Sequence, residues 1–321
     1  MFNSTHTLVG FSLARSGLDR WAPYATWTAV VAANLPDIDI LTQPGGTAAY
    51  LEYHRGITHA IVGVPVLSLI LAGVMYGLTK AWGDIRVPFW KHYSIALIAM
   101  ATHPVLDFTN TYGVRPFLPF SGRWYYGDIL FVIDPYVDVF LLAGLLTSHY
   151  VPYRRRFFAA AGLVVMISYV AFRVELRNTA REKLTDFTHD VAGYRRSALS
   201  PHLLNPFEWT GLVETDKDVF SVEVNVSEGV TAELARIHKT APSQIIARAM
   251  QTRSASVLLR FARFPVIHVD SLPTGYRVLF IDFRFYRETT GRSFAAEVRL
   301  DRSLKVLTES LSLNRSVDAL D

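Results

Sequence analysis

The sequence predicts an α-helical polytopic membrane domain followed by a soluble α+β C-terminal domain. Half of the 321 residues are hydrophobic (50%), and the long apolar runs fall before about residue 175. Several of those runs approach the roughly 20 residues a helix needs to cross a bilayer. Past that point the text turns charged and shows strand-like alternation. The expected division is a helical transmembrane domain over 1–175 holding a metal site, a linker over 176–210 and a soluble α+β domain over 211–321.

Residues 5–18 are moderately apolar and too short for a straight span, so they read as a half-helix or an interfacial helix. Residues 21–41 stay apolar until Pro36, which should break the helix and present Asp37 and Asp39 on an extended turn, on one side. Residues 42–57, with Gly45-Gly46, read as a loop. The run from Thr58 to Trp82 carries no charge until Lys80 and reads as a transmembrane helix. A basic loop with Lys80, Arg86 and Lys91 leads to a second span from His92 to Tyr112, interrupted by His103, Pro104 and Asp107. Residues 129–150 and 157–174 make a third and a fourth, with Arg154–Arg156 between them. Trp82, Trp90, Trp124, Tyr125, Tyr126, Tyr150 and Tyr153 sit near the span ends, as an aromatic belt would.

Pro201 to Trp209 reads as a linker turn. Alternation predicts strands at Val219–Val226, Ser256–Arg263, Val266–Val269, Tyr276–Phe285 and Phe294–Leu300, with a helix from Ala232 to Met250.

Zero cysteines exclude disulfides and thiolate-bound zinc, so any metal must be held by His and carboxylate. The net charge of +4 comes without a dense Lys/Arg patch interleaved with aromatics, and no nucleic-acid partner is expected. Arg154–Arg156 lies between two apolar runs and reads as an orientation signal. No cleavable signal peptide is expected, because the first residues lack a basic n-region.

The first 107 residues gather His6, the pair Asp37 and Asp39, the stretch His54-Arg55-Gly56-Ile57-Thr58-His59, and His103 with Asp107. His103 and Asp107 are four apart and share one helix face, and an ionisable pair inside an apolar span is costly unless it meets a partner or a cavity. If residues 58–82 and 92–112 form an antiparallel hairpin, His59 and Asp107 approach each other. A similar hairpin of 5–18 and 21–41 brings His6 and both aspartates to the same side. By the same parity Asp128, Asp134 and Asp138 face this side, whereas His92 and His149 fall at the other ends. Imidazoles and carboxylates without thiolate suit a divalent metal, with zinc expected and manganese or iron as alternatives, and the carboxylates suffice for two ions. Such a site activates water for hydrolysis. Asp39 is a candidate ligand or acceptor of the water proton. Arg55 is a candidate phosphate clamp.

The ordered set Thr5-His6, Pro36-Asp37-Ile38-Asp39, His54-Arg55-Gly56-Ile57-Thr58-His59 and His103-Pro-Val-Leu-Asp107 resembles the YdjM-like family over roughly residues 1–175. Members are described as membrane-bound metal-dependent hydrolases, some as LexA-regulated. The resemblance implies a bacterial or archaeal inner-membrane protein with His6, Asp37, Asp39, His54, His59, His103 and Asp107 as site residues. The order is also distantly similar to zinc phospholipase C and P1 nuclease, although the later His and His-x-x-x-Glu elements of that group are missing and Asp134-x-x-x-Asp138 is a loose substitute.

The expectation is therefore a membrane-embedded metal-dependent hydrolase, with a phosphoester of a lipid or other envelope substrate as its target and the bilayer as its partner. A metal or ion transporter and a non-catalytic anchor for a partner-binding domain are the alternatives. The metal site and C-terminal domain are expected on one face of a multi-pass inner-membrane protein, the extracytoplasmic one.

Overall fold

The computed structural model describes residues 1–82, 87–287 and 292–316. Arg86, part of the expected basic loop, lies outside the described residues. The chain divides into two compact units. The first comprises Met1–Asp39, Arg55–Asn178 and Pro201–Pro206, the second Ile40–His54, Thr179–Ser200 and Phe207–Asp321.

The first unit is helical. It contains α1 (Asn3–Arg15), α2 (Ala25–Asn34), α4 (Gly63–Trp82), α5 (Phe89–Phe108), α6 (Pro135–Tyr150) and the first part of α7 (Arg155–His189). Its core between α1, α2, α4 and α5 is built largely of small residues, Ala14, Ala25, Ala29, Ala32, Ala96 and Ala99, packed with Val64, Leu71 and Ile95. Small side chains let backbones approach closely. At Gly10 a Cβ would lie 2.9 Å from the Ala29 carbonyl oxygen, so only glycine allows α1 this near α2. A second core joins α1, α5, α6 and α7 through Val9, Leu106, Leu130, Leu141 and Met166. Asp134 caps α6 by accepting from the Tyr136 and Val137 amides, with Pro135 at the first helical position.

Four expectations change here. After Pro36 the chain forms a 3₁₀ helix from Leu35 to Gly45 instead of an extended turn. Proline fits a first turn because the N–H it lacks would be unpaired there. Residues Thr47–Tyr53 form α3, a helix of the second unit, where a loop was expected. The helix expected from Thr58 begins at Gly63, because Ile57–His59 makes a separate 3₁₀ turn. The fourth span runs on to His189, so the expected linker over 176–210 is instead helix and then strand. Among the described residues two helices are long and apolar enough to cross a membrane, Gly63–Trp82 and the stretch Pro152–His189. The α6 helix has 16 residues. The α5 helix includes Lys91, His92, His103 and Asp107.

The second unit holds two four-stranded sheets. One runs in the order β1 (Tyr194–Pro201), β2 (Glu208–Thr215), β3 (Asp218–Asn225), β4 (Gly229–His238). The other is β5 (Pro265–Leu272), β6 (Gly275–Arg287), β7 (Arg292–Asp301), β8 (Val306–Ser316), antiparallel throughout. Leu212, Val219 and Ile237 of the first pack on Val266 and Phe283 of the second, with Phe264 beside them. Between the sheets come α8 (Gln244–Met250) and α9 (Arg253–Phe261). The expected strand at Ser256–Arg263 is largely α9, whose buried Ala255, Leu258 and Phe261 repeat every three residues as a helix face does. The expected helix from Ala232 divides into β4, an exposed edge strand whose polar residues blur the alternation, and α8, capped by Ser243.

Close approach at Gly10 gives a direct test. Gly10→Leu should lower the thermal unfolding midpoint in detergent, by an overpacking penalty of about 1–3 kcal/mol. Gly73→Leu, at a site where an added Cβ meets nothing within 4 Å, should leave it unchanged. Equal midpoints for the two variants would contradict the α1–α2 packing.

Candidate metal centre

Four side chains from three stretches converge in the first unit. Asp37 comes from the 3₁₀ helix after α2, His59 from the turn before α4, and His103 and Asp107 from one face of α5. Each offers a ligand atom, and the four atoms lie within 4.8 Å of one another. His59 Nε2 is 3.6 Å from Asp37 Oδ1 and 3.4 Å from Asp107 Oδ2. His103 Nε2 is 3.4 Å and 3.5 Å from the same two oxygens. Donors held about 2.0–2.2 Å from a tetrahedral ion stand roughly 3.3–3.6 Å apart, so these spacings fit one metal ion. His59, His103 and Asp107 are buried, while the Asp37 side chain keeps 20% exposure and is the open side.

Local structure explains why these side chains point inward. The Gly63 position lies against the Ile57 carbonyl, where a Cβ would collide, so α4 can start directly behind the turn that carries His59. His103 Nδ1 is 2.7 Å from the Ala33 carbonyl. That pairing makes Nδ1 the protonated nitrogen and leaves the Nε2 lone pair for the cluster. Pro36 has no N–H to claim the Ala33 carbonyl in a 3₁₀ turn, which helps keep it available. Asp39 Oδ2 stands 3.6 Å from His59 Nδ1, so Asp37 and Asp39 flank opposite nitrogens of one ring. Residues two apart on a 3₁₀ helix diverge by about 120°, unlike the shared side an extended turn would give.

Arg55 organises the rest. Its backbone is in the left-handed region, φ 51°, and its N–H donates to Asp39 Oδ2 at 2.8 Å. The guanidinium donates to Asp107 Oδ1 at 3.0 Å, to Asn110 Oδ1 at 3.1 Å and to the Gly113 carbonyl at 3.2 Å, and it lies 4.6 Å from the Tyr112 ring centroid. With these partners it is an orienting group for Asp107, which departs from the phosphate clamp expected of it. Asn110 and Tyr112 were not singled out in the sequence. An Asn three residues beyond Asp107, at the end of an apolar run, was the available signal.

His6 stacks on His103 with centroids 3.7 Å apart, and its Nε2 is 3.5 Å from Asp107 Oδ1, the oxygen turned away from the four-atom cluster. The Met1 amine also donates to that oxygen. His6 Nδ1 and Nε2 and His103 Nε2 are buried atoms with no hydrogen-bond partner among the described residues. His54 falls in the second unit at the end of α3, where its ring lies 4.6 Å from Tyr50. Asp138 accepts from Thr5 at 2.6 Å, Asp134 caps α6, and neither joins the cluster.

Burial sets the protonation states. Desolvation pushes His59 down to about 3, against the raising effect of the Asp37 carboxylate beside it, and pushes His6 well below the usual imidazole range. Burial would raise Asp37, but the neighbouring His103 and His59 imidazoles outweigh it and hold the carboxyl well below its ordinary value. Neutral imidazole and ionised carboxylate are the forms that bind a metal.

The role of Arg55 can be tested without metal. Arg55→Met should destabilise the folded protein by roughly 3–5 kcal/mol, because it leaves Asp107 buried without its guanidinium. Arg55→Lys should recover only part of this, since an ammonium cannot reproduce the fork. A midpoint for Arg55→Lys equal to that of the unaltered protein would remove this role.

The family described as YdjM inner membrane protein matches residues 1–180, and the YfhP C-terminal alpha/beta plait domain matches residues 244–316. The second match runs from the start of α8 to the end of β8. The chain is similar to an uncharacterized protein, YfhP of Bacillus subtilis (strain 168), with 24% identity over 316 residues that cover 95% of this chain and 93% of that protein. No solved structure matches. Residues 1–180 are more than half of the 321 and include the whole His/Asp cluster, and on that match the chain belongs to the YdjM inner membrane protein family.

Proposed function

We propose that this protein is a metal-dependent hydrolase of the inner membrane, with one divalent ion held by Asp37, His59, His103 and Asp107. The observation that carries the reading is the set of four donor spacings of 3.4–3.6 Å among these residues. Octahedral ligands at about 2.1 Å would stand nearer 3.0 Å apart, so the spacing favours a tetrahedral ion, and zinc in particular. When bound, such an ion lowers the pKa of water and polarises an ester or phosphoryl oxygen.

The chain supplies orientation and proton handling around that chemistry. The Ala33 carbonyl fixes the His103 ring, and the Thr58 hydroxyl, 3.0 Å from His59 Nδ1, does the same for His59 with Asp39 behind it. Partners of this kind typically change metal affinity 10- to 100-fold. Arg55 pairs with both oxygens of Asp107, and its positive charge there favours a single ion over the pair that the carboxylate count allowed. Asp37 borders the open side, which makes it the ligand nearest an entering substrate. His6, buried and neutral, can hold a proton at Nε2 beside Asp107 Oδ1. A phosphoester is the favoured substrate class because the order of His and Asp ligands is similar to that of zinc phospholipase C and P1 nuclease.

Elemental analysis of protein purified without chelator should find about one equivalent of zinc, and the single variants Asp37→Ala, His59→Ala, His103→Ala and Asp107→Ala should each fall to background. Asp39→Asn should weaken binding by about 10- to 100-fold, and His54→Ala should retain the metal. The same metal content in all samples would reject the site. Turnover of bis-(p-nitrophenyl) phosphate should stop on chelation and return with zinc, so turnover that persists after thorough chelation would reject the mechanism.

A further inference from the structure

Beside the cluster, the first unit contains a groove of about 600 Å³ between α4, α5 and the loop after α5. Its inner end is His59 and its walls include Val64, Leu97 and Ala101. Ile61, Val105 and Phe117 form its lip, with the first two more than 60% exposed. Apart from His59 and Tyr125, every lining side chain is purely hydrocarbon. The groove is held open by its own chemistry. Ala101 and Pro104 leave α5 low on this face, and the Ile61 amide donates to the Pro116 carbonyl at 2.9 Å, which fixes the loop as the opposite wall. The volume falls in the range of ligand-binding cavities, about 300–1,000 Å³.

What fills it must be apolar along its length and polar at one end. A peptide would strand its backbone N–H and C=O groups against walls with almost nothing to pair them, at a cost of about 1–3 kcal/mol each. A hydrocarbon chain needs no such partners. The lip also continues into apolar surface of α4, a helix able to cross a membrane, where Val66, Leu69, Ile70 and Val74 are each more than half exposed. We propose that the groove takes one hydrocarbon chain of a membrane lipid whose polar group lies at the Asp37–His59–His103–Asp107 cluster, with entry sideways from the bilayer. Binding of the chain stands on the groove itself; that the lipid is also the substrate rests on the hydrolase reading above.

The test uses the full-length protein in nanodiscs of phosphatidylethanolamine and phosphatidylglycerol, with a trace of phosphatidylglycerol carrying a diazirine midway along one acyl chain. After photolysis, peptides containing Ala101–Phe108 and Val114–Phe117 should carry at least about fivefold more label per residue than the exposed α4 peptide Val66–Val74. Ala101→Trp, which fills the groove, and Val105→Asn, which makes its lip polar, should each cut groove labelling severalfold with metal content unchanged. Val74→Trp, on exposed α4 surface, should not. Label spread evenly over α4, α5 and α7, or groove labelling unchanged in Ala101→Trp, overturns the proposal. Groove labelling that is lost in Ala101→Trp, in zinc-loaded protein that hydrolyses no phosphoester, would uphold the lipid site while sinking the hydrolase reading, so the two fail separately.

Discussion

Taking a carboxylate out of water costs several kcal/mol unless partners replace the solvent, and at Asp107 the replacements come from stretches far apart in the chain. The Arg55 guanidinium lies 3.0 Å from each oxygen, with the Met1 amine and the His6 ring beside Oδ1. His59 and His103 face Oδ2. The first unit can bury Asp107 only if α1, the Arg55–His59 stretch and α5 all arrive together. That requirement explains the small-residue seams: Gly10 and the alanines of α1, α2 and α5 bring backbones close enough for side chains as short as His and Asp to meet. Packing and polar chemistry are therefore one constraint. A looser helix bundle would leave both oxygens unsatisfied.

The cluster also separates the four converging donors from the groups that aim them. His59 faces carboxylates of the four-atom set at Nε2, and at Nδ1 it meets the Thr58 hydroxyl with Asp39 beyond. His103 receives a backbone carbonyl on its outer nitrogen. Arg55 joins the inner and outer groups, since its amide fixes Asp39 and its side chain fixes Asp107. Its left-handed backbone carries a local cost of order 1–3 kcal/mol, offset by the hydrogen bonds that hold it there. Such over-determined positions belong where geometry has to be kept to a few tenths of an ångström.

Hydrophobic surface is distributed in a way that suits a bilayer. The α4 and α7 helices expose Leu69, Ile70, Val74, Val164, Ile167 and Phe172, a density of apolar surface that soluble monomers rarely tolerate. Membership in an inner-membrane family gives those faces a solvent. The same preference for hydrocarbon extends into the groove that ends at His59, so the environment that stabilises the helices and the one that would select a ligand are continuous.

Residue type and spacing alone marked much of this. The HRGITH stretch, the HPVLD step and the PDID turn contain all four residues of the cluster, because buried His and Asp in apolar text are conspicuous and a four-residue spacing on a helix fixes one face. The run ending at Trp82 and the strands at Val219, Val266, Tyr276 and Phe294 were legible for a similar reason, as each buries a regular face. Edge strands such as β4 expose most of their length and blur that period, and α9 resembled a strand because Val257-Leu258-Leu259 is a short apolar run that fits either state. Nor could sequence distinguish Asp37 from Asp39, or show that Arg55 is held by Asp107. Those roles depend on which atoms meet across more than 50 residues of chain, and only the three-dimensional packing of α1, α2 and α5 brings them together.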